Sequence, residues 1–270
     1  MKKFNLFLVV ALFCATGLTS CLEGENKSQG YDLGVLDYSF TAPVMKTFSY
    51  AFYGPELVSL MAQGTLELGG CYYFQYTIDY DLPENSEEMV KLNGYYTVSI
   101  VPLAEAQRFY PNSYLTDTLT LLTNELPVAD ILLSEGGLFG YAENYLFVTH
   151  SVNHEKDLDV QWDMSYEDND NVMTEENGKR QYNLFVRATS KTARDESKAA
   201  MEYSHFNAYY LRDFLESAAR TEKERLGSSY NNTSSTFTVK FNYVSGINED
   251  SEITWQSKSV DIFISMLIQE

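Results

Sequence analysis

The chain has 270 residues, with 38 acidic against 19 basic side chains, a formal charge of −19, and an aromatic complement of 21 Tyr, 16 Phe and 2 Trp. That length is enough for one large or two modest domains with real cores. So acidic a surface excludes nucleic acid as a partner, because a nucleic-acid binder must displace counterions from phosphates with cations, and anionic membrane surfaces would repel it as well.

Residues 1–20, MKKFNLFLVVALFCATGLTS, place two lysines before a short apolar run and small residues after it. This is the layout of a secretory signal, too short and too one-sidedly flanked for a stable span. Leu18, Thr19, Ser20 and Cys21 resemble the lipobox of bacterial lipoprotein signals. The resemblance implies that the Cys21 thiol receives a diacylglyceryl group, that the signal peptide is cut before it, and that the new amine is acylated. Several acyl chains on one cysteine hold a protein firmly, each buried methylene contributing ~0.8 kcal/mol. Leu22 stands where an Asp would retain a lipoprotein in the inner membrane, so outer-membrane anchoring is expected. Residues 21–30 then form a lipidated cysteine and a polar, flexible tether, able to reach roughly 30 Å if extended. Removing the signal takes away Lys2 and Lys3 and no acid, which leaves 17 basic residues against 38 acidic and a charge of −21.

Cys14 leaves with the signal and Cys21 is lipidated, so Cys71 has no partner and no disulfide framework can form within the chain. Within GGCYYFQYTIDYDL it reads as a small buried hydrophobe in a strand. Residues 72, 74, 76, 78 and 80 of that strand share one face, which reads as core.

Short alternating segments follow: YYTVSIV at 95–101, YLFVTHSV at 145–152, LDVQWDM at 158–164, YNLFVR at 182–187, FTVKFNY at 237–243 and VDIFI at 260–264. The alternation predicts half-buried antiparallel strands, separated by turn signals at Asn93-Gly94, Gly136-Gly137, Asn177-Gly178 and Ser245-Gly246. Lys191 to Ala200 reads as a polar loop or a frayed helical turn. Leu211, Phe214, Leu215, Ala218 and Leu226 recur near helical spacing and Gly227 offers a C-cap, which predicts a helix from Asn207 to Leu226. The segment RFYPNSYLTDT at 108–118 interrupts the strands, so the domain break is placed near Tyr114. The first domain, 31–114, is then a small β-barrel or partly open sheet, and the second, 115–270, a two-sheet sandwich.

This order of elements resembles the NigD-like lipoproteins. The resemblance is carried by the lipobox, the acidic tether, a small β domain, LPVADILL, the YLFV strand, YNLFVRA, YYLRDFL and TFTVKFNY. It implies a mainly β protein of the Gram-negative outer envelope, with an N-terminal OB-like β-barrel and a C-terminal immunoglobulin-like β-sandwich. The segment after Phe206 departs from the pattern as a helical insertion. The family name comes from an association with bacteriocin production, which implies an immunity or accessory role.

No short catalytic signature is legible: no G-x-S-x-G elbow, phosphate loop or dinucleotide fingerprint. No cofactor or metal is expected. His150 and His154 would lie about 13 Å apart along one strand face, too far for a zinc pair, with His150 on the solvent side and His154 opening a turn. The acidic run 167–171, with 175–178 behind it, lacks the spacing of a calcium loop and reads as a solvated hairpin tip. The expected function is therefore that of a non-enzymatic, lipid-anchored binding module. Its partner is a protein or peptide, which the acidic surface would steer if cationic; a surface glycan-binding or adhesive lipoprotein is the alternative.

Overall fold

The computed structural model describes residues 26–39, 42–113, 118–133, 140–166, 173–174, 180–195 and 197–268. The signal peptide, Cys21, the acidic runs and two of the turn signals, Gly136-Gly137 and Asn177-Gly178, lie outside the described residues. The chain divides into two compact units. The first comprises Met1–Arg108 with Phe139–Glu143, and the second Phe109–Leu138 with Asn144–Glu270. The division falls slightly before Tyr114, and a short return segment rejoins the first unit.

The first unit is a closed five-stranded barrel. Its strands are β1 (Lys27–Ser39), β2 (Ala42–Lys46), β3 (Ala51–Tyr53), β4 (Cys71–Asp79) and β5 (Tyr96–Phe109). Helix α1 (Pro55–Ala62) joins β3 to β4, and α2 (Glu87–Asn93) joins β4 to β5. Antiparallel pairings run β3-β2-β1-β4-β5, and a parallel pairing of Phe52 with Tyr96 and Tyr53 with Thr97 closes the ring. Closure leaves the barrel without a free sheet edge. Leu36, Met45, Phe52, Leu57, Tyr72, Phe74, Val98 and Ile100 fill its interior. The Glu56 carboxylate, in the first turn of α1, accepts the Ile100 N–H and ties that helix to β5. Pro102 cannot donate to the ladder, and the β4–β5 register shifts there by a bulge between Tyr73 and Phe74. Lys27 to Gly30, assigned above to the tether, pair with Asp79 to Tyr76 as the start of β1, so that tether ends at Asn26. Gly94 is not a hairpin turn: it closes α2 in the left-handed conformation, φ 78°.

The second unit is a two-sheet sandwich. The chain runs through β6 (Glu125–Leu126) and β7 (Val128–Leu132), passes β8 (Tyr141–Ala142) in the return segment, and continues as β9 (Tyr145–His154). It then forms β10 (Val160–Ser165), β11 (Met173–Thr174), β12 (Arg180–Ser190), β13 (Met201–Tyr210), α3 (Arg212–Leu226), β14 (Thr236–Ile247) and β15 (Ile253–Phe263). One sheet is β7-β9-β13 and the other β10-β12-β14-β15. Val128, Ile131, Val148, Val152, Met164, Leu184, Val186, Val239 and Phe241 are buried in this unit.

Here three expectations give way. Asn207 to Tyr210 belong to β13, opposite Val148 to Tyr145, so the helix starts at Arg212 rather than Asn207. Strands β12 and β14 run parallel, because the connection through β13 and α3 is long enough to return the chain in the same direction. Ser245-Gly246 lies at a bulge within β14, and the hairpin turn comes later, where Asn248 accepts the Glu252 N–H at 2.7 Å. The helix buries Phe214, Leu215, Ala218, Ala219 and Glu222 along one face. Glu222 is matched there by the Tyr182 hydroxyl at 2.9 Å and by Arg225 at 2.8 Å.

Candidate ligand site at the mouth of the barrel

Alternation along β1 from Leu36, a core residue, turns Gly34, Asp32 and Gly30 toward the barrel interior, opposite Tyr72, Phe74 and Tyr76 of β4. The two glycines make room. A Cβ on Gly30 would stand 2.6 Å from the Tyr76 hydroxyl, and one on Gly34 would stand 2.8 Å from the Lys46 carbonyl. Between them, at the open end of the barrel, an acid replaces what would be a core side chain. The Asp32 carboxylate accepts the Leu33 N–H at 2.8 Å and is also hydrogen-bonded by Thr47. Burial outweighs both and pushes its pKa up to about 6.

Aromatic rings surround this end. Phe52 stacks on Tyr76 at 4.5 Å, Tyr50 meets Tyr96 edge-on at 5.7 Å, and Tyr96 lies 6.3 Å from Phe52. Tyr76 feels the charge of Asp32 and neighbours Tyr50 and Tyr80. Tyr50 is 55% exposed and Tyr80 44%, so the rings line an opening rather than a sealed core.

Local sequence sets this geometry. In the β2–β3 turn the Thr47 hydroxyl accepts the Tyr50 N–H at 3.1 Å and lies 3.0 Å from the Tyr50 carbonyl, its one proton shared between that oxygen and Asp32, which turns Phe48 and Tyr50 outward. Across the mouth, Asn85 fixes the approach to α2: its amide donates to the carbonyls of Asp79 and Thr97, and its carbonyl accepts the Thr97 N–H. Ser86 caps α2 by accepting the Met89 N–H at 3.4 Å. A concavity of about 410 Å³ adjoins the mouth, its lining including Lys46, Thr47, Tyr50, Lys91, Tyr96 and Glu143. Lys46 is engaged with Asp37 at 2.6 Å and Glu143 at 3.8 Å.

The sequence reading of the Tyr72 to Tyr80 face as core holds for Tyr72, Phe74 and Ile78 and for Tyr76, which is half-buried against the same cluster, and fails at the far end, where Tyr80 is exposed. Asp32 was not singled out. Its signal was present in GYDLG at 30–34, two glycines flanking an acid at strand parity. Asn85 left no signal, since one asparagine after a proline reads as an ordinary turn.

The histidines also depart from expectation. His150 is fully buried, not solvent-facing, because the inter-sheet face of β9 and β13 carries it: the ring stacks on Trp162 at 4.3 Å and bonds the Tyr209 hydroxyl at 2.9 Å. His154 is buried too. Its Nδ1–H donates to the Glu155 carbonyl at 2.7 Å, which leaves Nε2 to accept from His205 Nε2 at 3.1 Å. Burial lowers His150 to about 3 and His205 to about 4, so both are neutral near pH 7. Among the described residues no group of three or more His, Cys, Asp or Glu side chains could hold a metal ion, and no helix is long and apolar enough to cross a membrane.

Residues 24–104 match a family model described as a lipoprotein OB domain, and the closed five-stranded barrel lies within that stretch but for the end of β5, as the expected N-terminal OB-like barrel does. Among solved structures, an uncharacterized protein from Parabacteroides merdae ATCC 43184 shares the fold. It is 18% identical over 87% of this chain and 98% of its own, with a TM-score of 0.67. A NigD-like immunity protein from Bacteroides caccae ATCC 43185 is a more remote match, 10% identical over 84% of this chain and 92% of its own, with a TM-score of 0.36. No curated protein sequence matches the chain.

Proposed function

We propose that this is a lipid-anchored lipoprotein of the outer membrane that binds a protein or peptide partner at the mouth of its OB barrel, without chemical turnover. In this reading Cys21 carries the acyl chains, and the partner relation is of the immunity or accessory kind that the NigD-like resemblance implies. The observation that carries it is the open barrel end, where Tyr50 and Tyr80 are presented to solvent around a partly buried carboxylate. Rings held rigid at an opening favour binding, since they bring contact area at low entropic cost.

The test is retention of envelope partners on the immobilised mature protein with Cys21 replaced by Ser. A partner kept by this protein and lost on Tyr50→Ala supports the reading; equal retention by both overturns the mouth as the binding site. Turnover of a peptide or glycan by the purified protein would overturn the non-enzymatic part. Cys21→Ala in the full precursor should release the protein from membranes or leave the signal uncut. Exposed tyrosines are also surfaces for sugar rings, so a glycan-binding surface lipoprotein is the second reading. Saturable binding of neutral envelope polysaccharide, abolished by Tyr50→Ala, would favour it.

A further inference from the structure

We propose that the barrel mouth is a cage for a single cationic group, the ammonium or guanidinium of a Lys or Arg side chain on the partner, with Asp32 as its counter-ion and Tyr50, Tyr76 and Tyr96 as its walls. This rests on the reading of the mouth as the binding site and adds what the mouth recognises.

Three observations carry it. First, a carboxyl group occupies an inward position of β1 where the same strand elsewhere places Leu36, and desolvating a carboxylate is unfavourable unless something compensates. Only the Leu33 N–H and Thr47 do so, and among the described residues no basic side chain acts on Asp32. The site is short of one positive charge. Second, the ring beside it, Tyr76, is held over Gly30 by its stack on Phe52, and Tyr50 and Tyr96, which pack on the same Phe52 and stand 79° apart, add both faces and edges. A cation within about 6 Å of a ring centroid is attracted by the ring's quadrupole, and more strongly when it is partly desolvated. Third, the surroundings select the sign. An anion would meet Asp32 inside and a mature chain of net charge −21 outside, whereas a cation is drawn by both. Lys46 does not fill the role: it alternates with the inward Met45 on β2 and is held by Asp37 and Glu143. A neutral sugar would gain from the rings and leave the buried carboxylate uncompensated.

The experiment titrates Nα-acetyl-lysine amide, Nα-acetyl-arginine amide, Nα-acetyl-norleucine amide and Nα-acetyl-glutamate amide into the mature protein with Cys21 replaced by Ser. Binding is followed through the tyrosine ring signals by NMR. The lysine and arginine probes should shift the signals of Tyr50, Tyr76 and Tyr96 and bind at least tenfold more tightly than norleucine, with glutamate not binding. Asp32→Asn keeps the shape and an acceptor for the Leu33 N–H while removing the charge, and should weaken both cations about tenfold while leaving norleucine unchanged; Tyr50→Ala should weaken them further. Thermal melts establish that both variants are folded. Equal binding of norleucine and lysine, preference for glutamate, no binding of any probe, or undiminished cation binding by Asp32→Asn each overturns the cage. Those outcomes leave the envelope-retention test to stand or fall by itself, because that test reads the mouth through Tyr50 and makes no reference to charge.

Discussion

The Asn85 carboxamide and the Thr97 backbone exchange two hydrogen bonds of 2.7 Å each, as two paired residues of neighbouring strands would. A side chain thus supplies a rung where the chain between β4 and β5 has left the ladder, and a third bond to the Asp79 carbonyl fixes it to the end of β4. Asn85 is 5% exposed, so none of these backbone groups could turn to water instead. Asn85→Ala should cost about 2–3 kcal/mol, the net loss of the bonds plus the penalty on a buried N–H left unpaired. Urea denaturation measures it. Asn85→Asp, which keeps the acceptor for Thr97 N–H and loses both donors, should fall between wild type and Asn85→Ala or below both; a cost under 0.5 kcal/mol for alanine would refute the bridging role.

Arg187 and Glu125 form a pair in which both side chains are almost wholly buried, with Nε to Oε1 at 2.6 Å and a second bond from the guanidinium to the other carboxylate oxygen. The guanidinium also donates to the Thr120 carbonyl at 2.8 Å. Removing one partner strands a charge, so Arg187→Met should destabilise the sandwich by about 3–5 kcal/mol, while Arg187→Met with Glu125→Leu should recover much of that loss. A double-mutant cycle in guanidinium chloride gives the coupling, and an additive cycle would show that the two residues act independently.

The histidine cluster makes stability depend on acid. His150 and His205 are held below the ordinary imidazole value of 6.5, to about 3 and about 4, chiefly by burial. The unfolded chain therefore binds protons at a pH where the folded one does not. The stability these neutral rings confer is complete above pH 6.5 and is lost as pH falls through the window between 6.5 and about 3. Melting temperature followed from pH 7.5 to 4 should drop, and His150→Phe, which keeps the stack on Trp162, should flatten the drop. Asp32 has the opposite sign: its pKa is raised, so its contribution is present below 3.8 and lost as pH rises through about 6. Asp32→Asn should accordingly gain stability over wild type at pH 7 and not at pH 3.5.

Cys71 is fully buried in β4 and free, and burial pushes its thiol up to about 12. Neither access nor thiolate is present at neutral pH. A maleimide should label it within minutes in 6 M guanidinium and by less than a tenth over the same time in the native protein; rapid native labelling would show that β4 opens.

Much of the strand content could be read from alternation, because YLFVTHSV, YNLFVR and FTVKFNY each have a definite place in a sheet. Reading failed where a residue's role depends on a distant partner. MEYSHFNAYY alternates poorly, and its last four residues match the helical spacing that follows, so only pairing with β9 assigns them to a strand. The break comes at Leu211, whose N–H is taken by the Asn144 carbonyl at 2.9 Å. The mouth was hidden for a related reason. Asp32 lay next to residues that composition alone marks as tether, and its inward direction follows from a register with Phe74 that no local pattern encodes.

The seam that closes the barrel consists of two residue pairs, Phe52 with Tyr96 and Tyr53 with Thr97. It is as short as the two-pair β2–β3 zip beside it, and its amides should be among the first in the barrel to trade protons with solvent. Tyr50 stands two residues before one lip of that seam and Tyr96 is on the other. A guest gripped by both rings would act as a staple across it, so occupancy and barrel rigidity become one quantity, readable as slowed amide exchange at Phe52 and Tyr53.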